Sequence, residues 1–208
     1  MTWKVRNFIN AHKTLVIPVI LGLMAYYDEW GPVAFTYLAL HGTYSVLWLI
    51  KEANFHDRRF EEEVPFFVGV FFVFLPLVSY YVAAYLITSR HVVVPPWMLG
   101  LAISLTVFGV FFHFVSDAQK HYTLSVRKGL IVEGLFARTR NPNYLGEMMI
   151  YTGFALLARH WLPWVVLAGW WVFFFRNMFS KDRSISRYPE FAEYRKRAWL
   201  LLPRPGGR

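Results

Sequence analysis

The sequence contains no cysteine and few charged residues, and both shortages narrow the protein classes that fit it. Without cysteine there is no disulfide framework, no thiolate zinc site, no iron–sulfur cluster and no cysteine nucleophile. Charged residues make up 17% of the 208 residues, whereas hydrophobic residues make up 56%. Soluble domains carry about 25% charged and about 45–50% apolar residues. These proportions exclude an ordinary soluble fold and a disordered chain.

Several ligand-binding motifs are absent as well. The chain has neither G-x-G-x-x-G nor a P-loop, so any nucleotide is bound without those phosphate-binding loops. The seven histidines are scattered and form no H-x-x-x-H pair, so we predict no metal site. The net charge of +9 suggests nucleic acid, but the basic residues lie between long apolar runs rather than along one face. We therefore expect no nucleic-acid partner.

Long apolar runs predict an all-α, polytopic integral membrane protein, because only a helix satisfies its own backbone groups in lipid. We predict about six transmembrane helices within a single membrane domain, 1–208. The first begins before residue 15, and the last two are short for full crossings. The predicted spans cover residues 15–27, 32–50, 64–87, 92–115, 144–158 and 161–175.

The basic residues predict the orientation of these spans. With six spans, all lysines and arginines except Arg90 and Arg159 lie on the side that holds both termini. Such a bias places that side in the cytoplasm. The membrane itself is either a bacterial inner membrane or the endoplasmic reticulum, and the oligomeric state is open.

The densest polar stretch covers residues 138–147. Pro142 predicts a helix start with Asn141 at the N-cap position, and Asn143 and Glu147 then share one helix face. An amide and a carboxylate at membrane depth are costly unless they are paired or face a cavity. Arginines before a helix N-terminus form an anion site, which suits a phosphate-bearing cofactor. Alternatively, the arginines are membrane anchors and the Asn-Pro pair only caps the helix.

Two further polar clusters flank this stretch, and each has a plain alternative. Asp117 and Lys120 could bind hydroxyl and phosphate groups, or they could form a solvated helix end. The tail after the sixth span could hold an adenine ring and phosphates, or it could bind anionic lipid headgroups. Its candidate residues are Arg176, Asp182, Tyr188, Tyr194 and Arg197.

The order of these motifs resembles a known family. The motifs are Asp117-x-Gln119-Lys120, Gly134-Leu135-Phe136, the stretch from Arg140 to Glu147, an arm around Tyr188, Phe191 and Tyr194, and Pro203. Over residues 100–203 they resemble the C-terminal domain of the steroid 5α-reductase and sterol C14-reductase membrane proteins. The same superfamily contains isoprenylcysteine carboxyl methyltransferases and phospholipid methyltransferases.

The resemblance implies an oxidoreductase of lipid metabolism, such as steroid biosynthesis, that uses NADPH to reduce a C=C bond. Residues 101–208 would bind the cofactor from the cytoplasm, and residues 1–100 would contact a steroid-like, sterol-like or other lipid substrate arriving from the bilayer. Glu147 is the expected acid or proton relay, and Tyr44 is a weaker polarising donor. The implied cofactor-binding residues are Asp117, Lys120, Arg140, Asn141, Asn143, Tyr144, Arg176, Asp182, Tyr188, Tyr194 and Arg197.

Two departures keep other functions open. Asn141 stands where most branches of the superfamily have histidine. The acid that steroid 5α-reductases place near the substrate ketone has no clear counterpart, and Glu52 is the nearest residue, which argues against a steroid 3-ketone. One alternative is a methyltransferase in which Arg140, Asn141 and Glu147 hold S-adenosylmethionine. The other is a membrane protein without catalytic activity.

Overall fold

The computed structural model describes residues 1–206, including every side chain except that of Arg58, and most of these residues are helical. Two short strands, β1 (Thr2–Lys4) and β2 (Glu63–Pro65), pair antiparallel with Lys4 opposite Glu63. Lys4 also donates a 2.7 Å hydrogen bond to Glu61, which lies in the 3₁₀ turn Arg58–Glu61. The extreme N-terminus is therefore tied to the segment that follows the second helix.

Within residues 1–206, nine α-helices follow one another in chain order. Proline occupies the first position of α2, α6 and α7, where its missing N–H costs nothing. A π-helical turn, Val70–Phe74, joins α3 to α4, and a 3₁₀ turn, Gly134–Ala137, precedes α7. The helices are α1 (Val5–Tyr26), α2 (Pro32–Asn54), α3 (Phe66–Gly69), α4 (Leu75–Val78), α5 (Tyr81–Ser89), α6 (Pro96–Val126), α7 (Pro142–Leu157), α8 (Trp161–Ile185) and α9 (Phe191–Arg197).

The all-α, polytopic membrane architecture agrees with the prediction from sequence. Within residues 1–206, α1, α2, α6 and α8 are long and apolar enough to cross a membrane. A fifth candidate arises if Phe66–Val78 and α5, which are bent by 40°, form one span. The predicted fifth span is α7, whose 16 residues reach about 24 Å, less than the ~30 Å of a hydrocarbon core. By length and composition, four or five of the six predicted spans are supported.

The predicted span 64–87 is interrupted, and its sequence explains why. Pro76 has no N–H to donate to the carbonyl of Phe72, and its ring crowds that carbonyl. A π-helical turn immediately precedes the proline, and the helix breaks again between α4 and α5. Hydropathy predicts one continuous span here because it carries no information on the backbone hydrogen bonds of the helix.

The chain divides into two compact units. The N-terminal unit comprises Met1–Thr106 and Thr152–Leu167, and the C-terminal unit comprises Val107–Tyr151 and Ala168–Arg208. The core of the N-terminal unit includes buried apolar residues of α1, α2 and α5, among them Val16, Ile20, Met24, Ala34 and Ile87. In the C-terminal unit, Phe191, Tyr194 and Ala198 pack against Leu130, Val132 and Ile185.

Candidate functional site

A close crossing of α6 and α7 positions the candidate site in the C-terminal unit. Gly109 and Gly146 face each other there, and a Cβ atom on Gly146 would lie 2.5 Å from the Gly109 carbonyl oxygen. The same Cβ would lie 2.5 Å from the backbone nitrogen of His113. Only glycine permits backbones to approach so closely. The crossing therefore brings His113 of α6 against the first turns of α7.

His113 and Glu147 form a histidine–carboxylate pair at this crossing. The imidazole Nδ1 lies 3.6 Å from a carboxylate oxygen of Glu147 and 3.4 Å from the carbonyl oxygen of Asn143. The His113 side chain is buried, and that of Glu147 is 17% exposed. The Asn143 carbonyl is within hydrogen-bond distance of Nδ1, and the Glu147 carboxyl group lies just beyond it, so the two side chains are neighbours at the start of α7. From sequence, His113 belongs to the polar cluster around Asp117, with a pairing to Asp117 as the simplest interpretation, and it is not among the catalytic residues that the resemblance implies. Gly109, one turn before it, is a usable signal for the crossing.

Gln119 explains why two of the sequence motifs occur together. Its side-chain amide donates to the carbonyl of Glu133 at 2.8 Å and accepts from the N–H of Leu135 at 3.1 Å. Gly134 lies between them with φ +59°, a left-handed conformation that favours glycine. The 117–120 motif of α6 is thus held to the turn at 134–136 by the two hydrogen bonds of Gln119. Asp117 and Lys120 are half-buried on the same helix.

Arg140 is buried and engaged by the protein itself. Its Nε donates to Asp182 at 3.0 Å and its Nη2 at 2.7 Å, while Nη1 donates to the carbonyl of Ala198. Such a bidentate, buried arginine–carboxylate pair is a strong geometric restraint. Arg140 and Asp182, both predicted to bind the cofactor, therefore join α8 and the tail to the start of α7.

Asn141 completes this junction between the tail and the α7 start. Its side-chain N–H donates to the carbonyl of Leu200 at 2.8 Å, and its amide oxygen accepts from Lys181 at 3.1 Å. Thr139 donates to the carbonyl of Leu201 at 2.7 Å and pairs with Trp199 in a parallel bridge. We call Thr139, Arg140, Asn141, Lys181 and Asp182 the tail junction. As predicted, α7 begins directly after Asn141, but the Asn141 side chain reaches the tail.

Tyr194 also has a packing role in the structure. It is fully buried, and its hydroxyl donates to the carbonyl of Phe136 at 2.8 Å. Burial raises the pKa of Tyr194, which keeps the hydroxyl protonated as a donor. This bond ties α9 to the turn at 134–137.

The remaining predicted cofactor residues are more accessible. Tyr188 is half-buried, and the Arg187 guanidinium lies 5.2 Å from the centre of its ring. Arg176 and Arg197 are exposed. Cations beside an aromatic face are the groups that an adenine ring and phosphates require.

The other two predicted residues of α7 and α2 lie in different surroundings. Tyr144 is buried and packs against Phe174, with ring centres 5.3 Å apart. Tyr44 belongs to the N-terminal unit, where it is buried beneath the Lys13 ammonium, 4.1 Å above its ring.

Residues 29–198 match the model of a family described as a protein of unknown function, DUF1295. The chain belongs to this family. The match includes α2 and α9 and therefore every candidate site residue named above.

The chain is also similar to one curated protein, but over a much shorter stretch than the family match. An uncharacterized protein of the fission yeast Schizosaccharomyces pombe is 45% identical over 53 residues. That stretch is 26% of this chain and 18% of the relative, so the chain matches less than a fifth of the yeast protein's length.

Proposed function

We propose that this protein is a membrane-embedded, NADPH-dependent reductase of a C=C bond in a steroid-like, sterol-like or other lipid substrate. The observation that carries the proposal is the His113–Glu147 pair at the start of α7. A partly exposed carboxyl group beside a buried imidazole is a suitable proton donor. The order of motifs from Asp117 to Pro203, which resembles that of the reductases, supports the same reaction.

Each side chain has a defined task in this proposal. NADPH supplies a hydride to the electron-poor carbon of the alkene when it is bound. Glu147 protonates the other carbon and is then reprotonated from solvent, to which 17% of its side chain is exposed. His113 positions the carboxyl group. Gly109 and Gly146 fix the spacing of the two helices that carry the pair.

The charge of the C-terminal unit suits a phosphorylated cofactor. By sequence, this unit has 14 lysines and arginines against six acidic residues. The 2′-phosphate and pyrophosphate of NADPH need such cations, whereas S-adenosylmethionine carries no phosphate. Lys120, Arg176, Tyr188 and Arg197 are the proposed contacts, while the tail junction and Tyr194 hold the segments that bear them.

A thermal-unfolding assay with three cofactors tests the proposal. The purified protein is titrated with NADPH, NADH and S-adenosylmethionine, and a ligand at ~100 times its dissociation constant adds ~2.7 kcal/mol of stability. We expect NADPH to stabilise the protein more than NADH does, because of the 2′-phosphate. Stabilisation by S-adenosylmethionine alone would establish the methyltransferase alternative, and stabilisation by none of them would favour the non-catalytic one.

A variant of the acid then tests the chemistry. Glu147→Gln should bind NADPH normally but reduce lipids from a membrane extract about 10²–10⁴-fold more slowly, measured as NADPH consumed and as lipids that gain two hydrogens. Glu193→Gln is the matched control, since that carboxylate is exposed on α9. Wild-type turnover in Glu147→Gln would remove Glu147 from the reaction.

A further inference from the structure

The N-terminal unit buries a second group of polar side chains. His12 of α1 and His41 and Ser45 of α2 are each 0% exposed. The two imidazole rings have centres 6.5 Å apart, and Ser45 lies one turn after His41 on the same helix face. We call these three residues the α1–α2 polar cluster.

Nε2 of His41 and Oγ of Ser45 have no hydrogen-bond partner within residues 1–206. His12 hydrogen-bonds to the backbone of Leu77 through one ring nitrogen, and its other ring nitrogen has no partner within the same residues. Each buried polar group left unsatisfied costs about 1–3 kcal/mol. Buried polar groups in native proteins are nearly always paired, so this concentration indicates a site whose partner is a bound molecule.

The neutral imidazole rings specify what that molecule must offer. A buried imidazole without a carboxylate partner is neutral, because an uncompensated charge there is very costly. A neutral ring has one nitrogen that bears a proton and one that only accepts. The His12 nitrogen that donates to the Leu77 backbone bears the proton, so its other nitrogen is a bare acceptor and the ligand must donate to it. His41 Nδ1 lies 3.0 Å from the Tyr37 hydroxyl, which also lies 3.3 Å from the Tyr80 carbonyl, so Nε2 of His41 either accepts or donates.

Ser45 requires that the same ligand also accept, because its O–H has no acceptor within residues 1–206. Two hydrogen bonds of ~2.9 Å to one oxygen atom can join nitrogens up to about 5.8 Å apart, which matches imidazole centres 6.5 Å apart. A hydroxyl group donates and accepts through one oxygen atom, whereas a ketone or an ether only accepts.

The surroundings of the cluster are aromatic. Tyr81 stacks on His12 with ring centres 5.0 Å apart, and Phe154 lies 4.6 Å from His41 by the same measure. The carbon skeleton of a ligand placed here meets ring faces rather than water. A sugar or another polyol would leave its remaining hydroxyl groups unpaired.

We propose that the α1–α2 polar cluster binds the hydroxyl group of a membrane-soluble alcohol, which donates to the unprotonated ring nitrogen of His12 and accepts from Ser45 or His41. As the substrate class of the reductase, this assignment rests on the proposed function. Binding of the alcohol itself does not rest on it, because the cluster lies wholly within the N-terminal unit.

The test compares three probes of one chain length: a long-chain primary alcohol, its methyl ether and the corresponding methyl ketone. The full chain is purified in a detergent without hydroxyl groups, and its unfolding temperature is measured without NADPH. We expect the alcohol to raise the unfolding temperature with saturation and the ether and ketone to leave it unchanged. Equal shifts from all three probes, or no shift from the alcohol, would overturn the proposal and leave ordered water as the partner.

Two serine variants locate the binding. Ser45→Ala should fold at least as stably as the wild type, because it removes an unsatisfied hydroxyl, but its alcohol-induced shift should fall at least threefold. Ser116→Ala is the matched control: Ser116 is equally buried, but its hydroxyl donates to its own helix at the His113 carbonyl. An undiminished shift in Ser45→Ala would place the alcohol elsewhere. NADPH titration of the same samples separates this result from failure of the proposed function.

Discussion

Two groups of buried polar side chains, one in each unit, differ in their hydrogen bonding. In the C-terminal unit, the buried side chains of Thr139, Arg140 and Asn141 each hydrogen-bond to the tail. In the N-terminal unit, the equally buried Nε2 of His41 and Oγ of Ser45 have no hydrogen-bond partner in the described part of the chain. A satisfied network fixes one conformation, whereas unsatisfied groups are stable only if something else binds them.

The two units also differ in net charge. By sequence, the N-terminal unit has eight basic and seven acidic residues, whereas the C-terminal unit has 14 basic and six acidic residues. A nearly neutral unit with unsatisfied buried groups suits an uncharged lipid. A basic unit with accessible arginines suits a phosphorylated cofactor. The following variants test the proposed roles of the two units separately.

The largest loss of stability should follow removal of the tail-junction arginine. Arg140→Ala leaves the half-buried Asp182 without its partner, and breaking such a pair costs up to the ~3–5 kcal/mol of a fully buried one. Thermal unfolding measures the loss, and limited proteolysis should show earlier cleavage after residue 182.

An exposed ion pair of α9 is the control for this loss. Lys196→Ala removes the pair between Lys196 and Glu193, whose side chains are 71% and 74% exposed. Such pairs contribute about 0–1 kcal/mol. If Arg140→Ala were as mild as Lys196→Ala, the tail junction would not hold the C-terminal unit together.

The helix crossing should show the next largest effect. Gly109→Ala places a Cβ atom 2.6 Å from the Gly146 carbonyl, so the helices must separate, at a cost of about 1–3 kcal/mol. The shift should also lengthen the His113–Glu147 contact and slow turnover. Gly100→Ala on the same helix meets no atom within 4 Å and should be neutral or slightly stabilising. Equal stability of the two variants, measured by thermal unfolding, would contradict the close crossing.

Local features of the fold are predictable from the sequence. Proline places the starts of α2 and α7 at Pro32 and Pro142, where the structure has them. Hydropathy locates the long apolar helices, because burial in lipid depends on composition over about 20 residues. It misses the π-helical turn before Pro76, because hydropathy carries no information on a single missing N–H.

The site is less predictable because its contacts are distant in sequence. Arg140 and Asp182 are both recognisable from sequence as candidate site residues. They are 42 residues apart in the chain, so only the structure shows that they form an ion pair. A motif cannot tell a side chain that holds a ligand from one that holds the segment around it. His113 likewise gains its meaning only from the α6–α7 crossing.

A smaller effect should distinguish the two tyrosines of the arm. Tyr194→Phe leaves the buried Phe136 carbonyl without its donor and should cost about 1–3 kcal/mol in thermal unfolding. Tyr188→Phe should be nearly neutral for stability, because that hydroxyl accepts a long, exposed hydrogen bond from Arg187. Tyr188→Ala, in contrast, should weaken NADPH binding. If Tyr188→Phe were less stable than Tyr194→Phe, Tyr188 and not Tyr194 would have the packing role.

The smallest effect concerns a charge pair of the N-terminal unit. Hydrogen bonding to Lys4 and the nearby Arg6 hold the pKa of Glu61 below its ordinary value of 4.5. Because the folded-state pKa is the lower one, Glu61 contributes stability above about pH 4.5 and loses it as the pH falls through the folded value. Glu61→Gln should therefore unfold at a lower temperature than the wild type at pH 7, and the two should converge under acid. A difference that persists at low pH would mean that Glu61 acts through packing. Surface ion pairs would then contribute little to the stability of the N-terminal unit.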